Sequence, residues 1–156
     1  MDNLIDYIDN FIVHLRGSFA MPVIRRTDAR RTATPNGVMT TYASPTQGSA
    51  ALAVWHVDMA ADARGPLHAM DTEQVWTLLT GTARVDLAGE VFTLAAGDTV
   101  VLPADAARRI ATDTGFTAVV ASPSPAHAYN PDARTPEGAC ALAPRDDQRV
   151  LPPWIA

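Results

Sequence analysis

The chain has 156 residues, 47% of them hydrophobic and 19% charged, with a formal net charge of -5. That length suits one domain with a real core, and the composition excludes a disordered chain. All the basic residues are arginines, and an acidic chain without a basic stripe is a poor candidate for nucleic acid, because phosphate contacts supply most of that affinity. No apolar run approaches the roughly 18 to 20 residues that cross a bilayer. No membrane partner is therefore expected.

At the start of the chain Leu4, Ile8, Phe11, Ile12 and Leu15 recur at helical spacing, and Gly17 can end that helix. Residues 1–20 are read as a short N-terminal helical extension, with residues 21–156 as the single main domain. Asp2, Asp6 and Asp9 stand where a signal peptide needs positive charge, so a cytoplasmic location is expected. Residues 25–49 are polar and turn-rich, with Pro35-Asn36-Gly37 and Pro45-Thr46-Gln47-Gly48 as turn signals and Val38–Tyr42 as a short strand. The pairs Arg25-Arg26 and Arg30-Arg31 read as solvated surface.

From residue 50 to about 121, short runs rich in β-formers are punctuated by Gly, Pro and Asp. They are Ala51–Asp58, Gln74–Thr80, Thr82–Leu87, Glu90–Leu94, Asp98–Leu102, Arg108–Thr112 and Phe116–Ala121. Strands at such spacing with no helix between them predict an antiparallel sandwich or closed barrel. Gly81, Gly89 and Ala95-Ala96-Gly97-Asp98 are placed as hairpin turns. Residues 122–156 are proline-rich, with edge strands expected at Ala139–Ala143 and Arg149–Leu151, and Trp154 calls for burial, so this tail is expected to pack on the barrel or exchange across a dimer. Cys140, the single cysteine, cannot form an intrachain disulfide and reads as a small buried hydrophobe.

The run His68-Ala69-Met70-Asp71-Thr72-Glu73-Gln74, followed after six residues by Gly81, resembles the first motif of the cupin superfamily. Gly97, five residues, Pro103-Ala104-Asp105, two alanines, Arg108, three residues and Thr112 match the spacing of its second motif. The resemblance spans residues 65–112 closely and implies a cupin double-stranded β-helix, a jelly-roll-like antiparallel barrel of about eight strands or more. It also implies a ligand pocket in the barrel mouth, and homodimers are common among such proteins.

Metal-binding cupins use two histidines and a carboxylate or Gln from the first motif and a histidine from the second. Carried over by position, those ligands fall on His68, Met70, Gln74 and Arg108. Only His68 is a good donor; Gln74 is acceptable, and a thioether such as Met70 suits copper(I) rather than zinc, manganese or iron(II). A guanidinium about 4 Å from a divalent ion would be repelled by roughly 8 kcal/mol at an effective dielectric near 20. No metal is therefore expected. The alternative is one divalent ion at His68 and Gln74, with His56 filling the gap and Arg108 turned outward.

Residues two apart on a strand share a face, so Gln74, Trp76 and Leu78 look one way, as do Leu52, Val54 and His56. With the family's inward direction, His68, Met70, Gln74, Trp76 and Arg108 meet in the barrel mouth, with His56 as a further candidate. An apolar wall with a few convergent polar groups and one fixed charge predicts a small-molecule site for an anionic or aromatic metabolite. Trp76 can equally be simple core and His56 simply exposed. Glu73 is expected to face outward and His127 to lie on the surface. An enzyme using His68 as acid or base and Arg108 as oxyanion stabiliser is the competing reading. Arg108 also has the option of pairing with Asp105 at the barrel rim.

Overall fold

The computed structural model describes residues 23–49, 51–131 and 149–156, and its regular structure there is antiparallel β. In chain order the strands are β1 (Arg30–Thr34), β2 (Gly37–Ala43), β3 (Leu52–Met59), β4 (Ala69–Met70), β5 (Gln74–Leu87), β6 (Glu90–Ala95), β7 (Thr99–Leu102), β8 (Arg108–Ala111), β9 (Phe116–Pro123) and β10 (Ala128–Tyr129). Strands β1-β2-β3-β9-β5-β6 form one path, and β7 and β8 both pair with β5. A small sheet of β10 and β4 sits beside it. The expected N-terminal helix, Cys140 and the edge strand at 139–143 lie outside the described residues. No helix among the described residues is long and apolar enough to cross a membrane.

β5 organises the barrel. Its first half pairs with β7 and β9, and its second half with β6 and β8, so one strand serves two walls. Gly81 was expected to be a hairpin turn between two strands; instead β5 runs through it. The register slips between Leu78 and Thr80, and Gly81 has φ +73°. A Cβ there would stand 2.0 Å from the Gly115 carbonyl oxygen. Only glycine lets the two backbones approach this closely, and the bulge redirects the strand from one wall to the other.

The true hairpins follow their turn chemistry. Ala88 and Gly89 both take positive φ (52° and 91°) between β5 and β6. That is the left-handed pair a two-residue hairpin favours. Before β7, Gly97 has φ +93°, and the Asp98 carboxylate accepts the Ala95 amide at 2.8 Å. Pro35 and Asn36 close the β1–β2 hairpin, an element for which only the second strand was anticipated.

Alternation sets the core. On β3 the sequence Ala53, Trp55, Val57, Met59 faces inward, and on β5 Gln74, Trp76 and Leu78 do the same. Leu102, Ile110, Phe116, Ala118 and Val120 complete the interior. Burying each large apolar side chain contributes about 1.5–3 kcal/mol. The final residues also join this core. Val150 exchanges both backbone hydrogen bonds with Ala128, Ile155 is fully buried, and the carbonyls of Trp154 and Ile155 accept the hydroxyls of Thr41 and Ser124. A tail packed on the barrel is what the proline-rich end called for; Val150 forms a single bridge there rather than a strand.

Candidate functional site

Inside the barrel lies a cavity of about 330 Å³. Its wall includes Trp55, Val57 and Met59 of β3, Met70, Gln74 and Trp76 of the first motif, and Thr34, Asn36 and Met39 of the β1–β2 hairpin. Gly65, Pro66 and His68 come from the segment before β4, Ile110 from β8, and Pro152, Trp154 and Ile155 from the C-terminal segment. All three tryptophans of the chain border this one space. None of the described residues lining it is Asp, Glu, Lys or Arg.

His68 is the chemically active member of the wall. Its Nδ1 lies 3.1 Å from the Pro66 carbonyl oxygen, which can only accept, so Nδ1 carries the proton. Nε2 is left with its lone pair and has no hydrogen bond to a described residue. Burial lowers the pKa of the ring to about 4; the Pro66 bond works in the opposite direction, and the Arg108 charge adds to the lowering. At neutral pH His68 is therefore an uncharged acceptor.

Gln74 is buried and its Oε1 accepts the Trp76 indole N–H at 3.1 Å. This bond locks the indole plane against the cavity and occupies the oxygen that a metal would need. Met70 is buried on the same wall. His68, Met70, Gln74 and Trp76 all line this cavity.

Two candidates are placed elsewhere. His56 points to the outer face of β3, where its ring lies 6.1 Å from that of Tyr42. The inner face of that strand belongs to the odd-numbered, more apolar set; His56 and Asp58 mark the side toward water. Arg108 enters the fold fully buried but does not line the cavity. Its Nε donates to the Ala106 carbonyl at 3.1 Å and its Nη2 to the Pro103 carbonyl at 2.6 Å. Burial lowers its pKa to about 10, against the raising influence of Tyr129 and Asp105, and it remains cationic. Arg108 staples the loop before β8 rather than presenting a fork to a ligand. Its backbone also exchanges two hydrogen bonds with His68, at 3.0 and 2.8 Å, which fixes His68 against the barrel.

The family's metal does not fit this donor set. His68 offers one nitrogen, the Gln74 oxygen already accepts the Trp76 N–H, Met70 is a soft ligand, and a buried guanidinium, with Nε and Nη2 on carbonyls, places positive charge beside His68. Among the described residues no three His, Cys, Asp or Glu side chains converge on a metal-sized point.

The rim also differs from expectation at His127, which is half-buried rather than free. Its amide and Nδ1 bind the two Asp71 oxygens at 2.6 and 2.9 Å, and Arg149 reaches the same carboxylate at 3.2 Å. Burial alone would raise the Asp71 pKa; the His127 and Arg149 contacts outweigh it and hold the carboxyl below its usual range. Arg149 also covers the Tyr129 ring at 4.7 Å, and the Tyr129 hydroxyl donates to Asp105 at 2.7 Å. These contacts clasp the C-terminal segment over the cavity. Glu73 is exposed, as expected, and makes no ion pair among the described residues.

The sequence reading missed Trp55, Met59, Trp154 and Met39 as cavity residues. For β3 the signal was present, since the more apolar parity of the strand is the buried one. For Trp154 it was not, because 24 residues separate it from the end of β10 at Tyr129 and only folding brings it to the wall.

Residues 55–122 match the family model of the cupin domain. No curated protein is significantly similar to the chain in sequence. Among solved structures, the polyketide cyclase RemF from Streptomyces resistomycificus aligns with a TM-score of 0.58 at 15% identity, over 66% of this chain and 81% of the cyclase. An RmlC-like cupin from Shewanella frigidimarina aligns at 0.56 and 17% identity, over 64% and 86%. Salicylate 1,2-dioxygenase from Pseudoaminobacter salicylatoxidans aligns at 0.55 and 22% identity, over 62% of this chain but only 27% of that one. At such identities the likeness concerns the fold. Together with the domain match over residues 55–122 and the two spaced motifs, it shows that this chain has the cupin fold.

Proposed function

We propose that the chain binds a small uncharged, ring-bearing molecule with a hydroxyl group in its barrel cavity, without a metal ion. The observation that carries this reading is the cavity wall itself: three tryptophans, three methionines and no ionic side chain. Such a wall favours apolar and stacked contacts, and it penalises a buried charge because no counter-charge faces it. The volume, about 330 Å³, suits a molecule of one or two rings. His68 Nε2 is the acceptor for the ligand hydroxyl. The anionic ligand first inferred from Arg108 loses its contact, because that guanidinium is turned into the 103–106 loop. The aromatic half of the expectation remains.

Intrinsic fluorescence provides a direct assay, since every tryptophan borders the cavity. Titration with one- and two-ring phenols is expected to give a saturable change, unaffected by a chelator. His68→Ala is expected to weaken binding about tenfold by removing one buried hydrogen bond. A set of such phenols that leaves the emission unchanged, or binding abolished by the chelator, would overturn the proposal.

A further inference from the structure

A second depression lies on the opposite surface, outside the barrel, over the outer face of β1, β2 and β3. Its volume is about 660 Å³. Arg25 and Arg26 approach it from the 3-10 turn Arg26–Asp28 and the residue before it. The register places Arg31 opposite Thr40, and Thr40 opposite His56, so three polar side chains stand in one row across three strands. Cross-strand partners of this kind are about 4.5–5.5 Å apart at Cβ. Tyr42, tilted against His56 at 6.1 Å between ring centroids, borders the same space.

These donors are unspent. Arg25, Arg26 and Arg31 are exposed and make no ion pair with any described residue. The Thr40 hydroxyl and the His56 ring make no hydrogen bond with one either. Among the described residues Asp58 is the single carboxylate lining the depression. Asp28 lies on the 3-10 turn, exposed, with its carboxylate accepting the Thr27 hydroxyl. In a chain of net charge -5, three guanidiniums gathered around a hydroxyl and an imidazole are a local reversal of the field. Guanidinium forks, hydroxyl and imidazole N–H are the groups that recognise a tetrahedral oxyanion.

We infer that this outer groove is a separate binding site for a small, multiply charged oxyanion of the phosphate-ester kind, held by Arg25, Arg26 and Arg31 over the Thr40–His56 row. The site is independent of the barrel cavity, since the sheet separates Trp55 and Val57 on its inner face from His56 and Asp58 on its outer face.

Amide chemical shifts of the full chain, followed during titration with inorganic pyrophosphate at constant ionic strength, test the inference. The expected result is a saturable shift confined to the segments around Arg31, Thr40, Tyr42 and His56, with unchanged tryptophan emission. Arg31→Ala and His56→Gln are each expected to weaken pyrophosphate about tenfold, while Arg84→Ala, an exposed control that touches only Asp113, leaves it unaltered. Shifts reproduced by chloride at the same ionic strength, no saturation, or wild-type affinity in Arg31→Ala would each overturn it. Because the probe, the residues and the signal differ from those of the phenol titration, either site can fail without the other.

Discussion

His68 makes a prediction that separates the folded state from the unfolded one. In the unfolded chain its imidazole takes a proton near pH 6.5, whereas burial holds the folded ring neutral down to about pH 4. Between those values the unfolded chain binds one more proton, so stability falls as the pH drops through that window and the loss is complete below about pH 4. One pKa step corresponds to about 1.4 kcal/mol, so the full interval gives about 3 kcal/mol, and partial access of the ring to the cavity reduces this to about 2–3 kcal/mol. The Asp71 carboxyl, held below its usual range, titrates under the window and does not confuse it. The assay is urea denaturation of the wild type and His68→Gln at half-unit steps from pH 7 to pH 4. The wild type is expected to lose about 2–3 kcal/mol relative to the variant across that range, which for a chain of this size is a midpoint shift of about 5–10 °C in thermal scans. Two stability curves that remain parallel from pH 7 to pH 4 would refute a buried neutral histidine.

The close approach at Gly81 is tested by comparison. In Gly81→Ala the new Cβ meets both positive φ and the Gly115 carbonyl oxygen, whereas Gly97→Ala, with φ +93° and open space around it, meets only the first cost. The expected losses are about 3 kcal/mol or more against about 1 kcal/mol, read from denaturant midpoints; equal losses would contradict the close approach. Thr112→Val removes a buried hydroxyl that donates to the Thr82 carbonyl at 2.7 Å and accepts the Gly115 amide at 2.9 Å, so both groups lose this partner at a partly buried position. A destabilisation of about 2 kcal/mol is expected. Asp71→Asn loosens the His127 and Arg149 contacts that clasp the C-terminal segment, so amide exchange at Val150 and Ile155 is expected to speed up while exchange in β3 and β9 is unchanged.

The readable part of this protein was its local grammar. Runs such as Ala51–Asp58 and Phe116–Ala121 alternate with a period of two and end at Gly, Pro or Asp, which is enough to specify antiparallel strands and most of their turns. Parity likewise put Gln74 and Trp76 on one face of their strand, while the inward direction of that face and of His68 and Met70 came from the motif resemblance. Parity relative to the core is a different matter, as β3 shows. His56 shares a face with Leu52 and Val54, and only packing against β9 and β2 turned Ala53, Trp55 and Val57 inward instead.

Other properties depend on residues far apart in the chain, and no local pattern encodes them. Gly81 carries the sequence mark of a hairpin, but it pairs with Phe116 just past the register slip, with the Gly115 backbone against it, inside a continuous strand. Arg108 occupies a ligand position by spacing and still misses the cavity, because the carbonyls of Pro103 and Ala106 capture its guanidinium. Trp154 reaches the wall through the pairing of Val150 with Ala128. The chain's own residues thus determined an all-β barrel, and the motif resemblance implied that His68 and Gln74 face inward. Tertiary contacts decided that the space around them is aromatic and uncharged, because burial and hydrogen-bond satisfaction are settled among all strands at once.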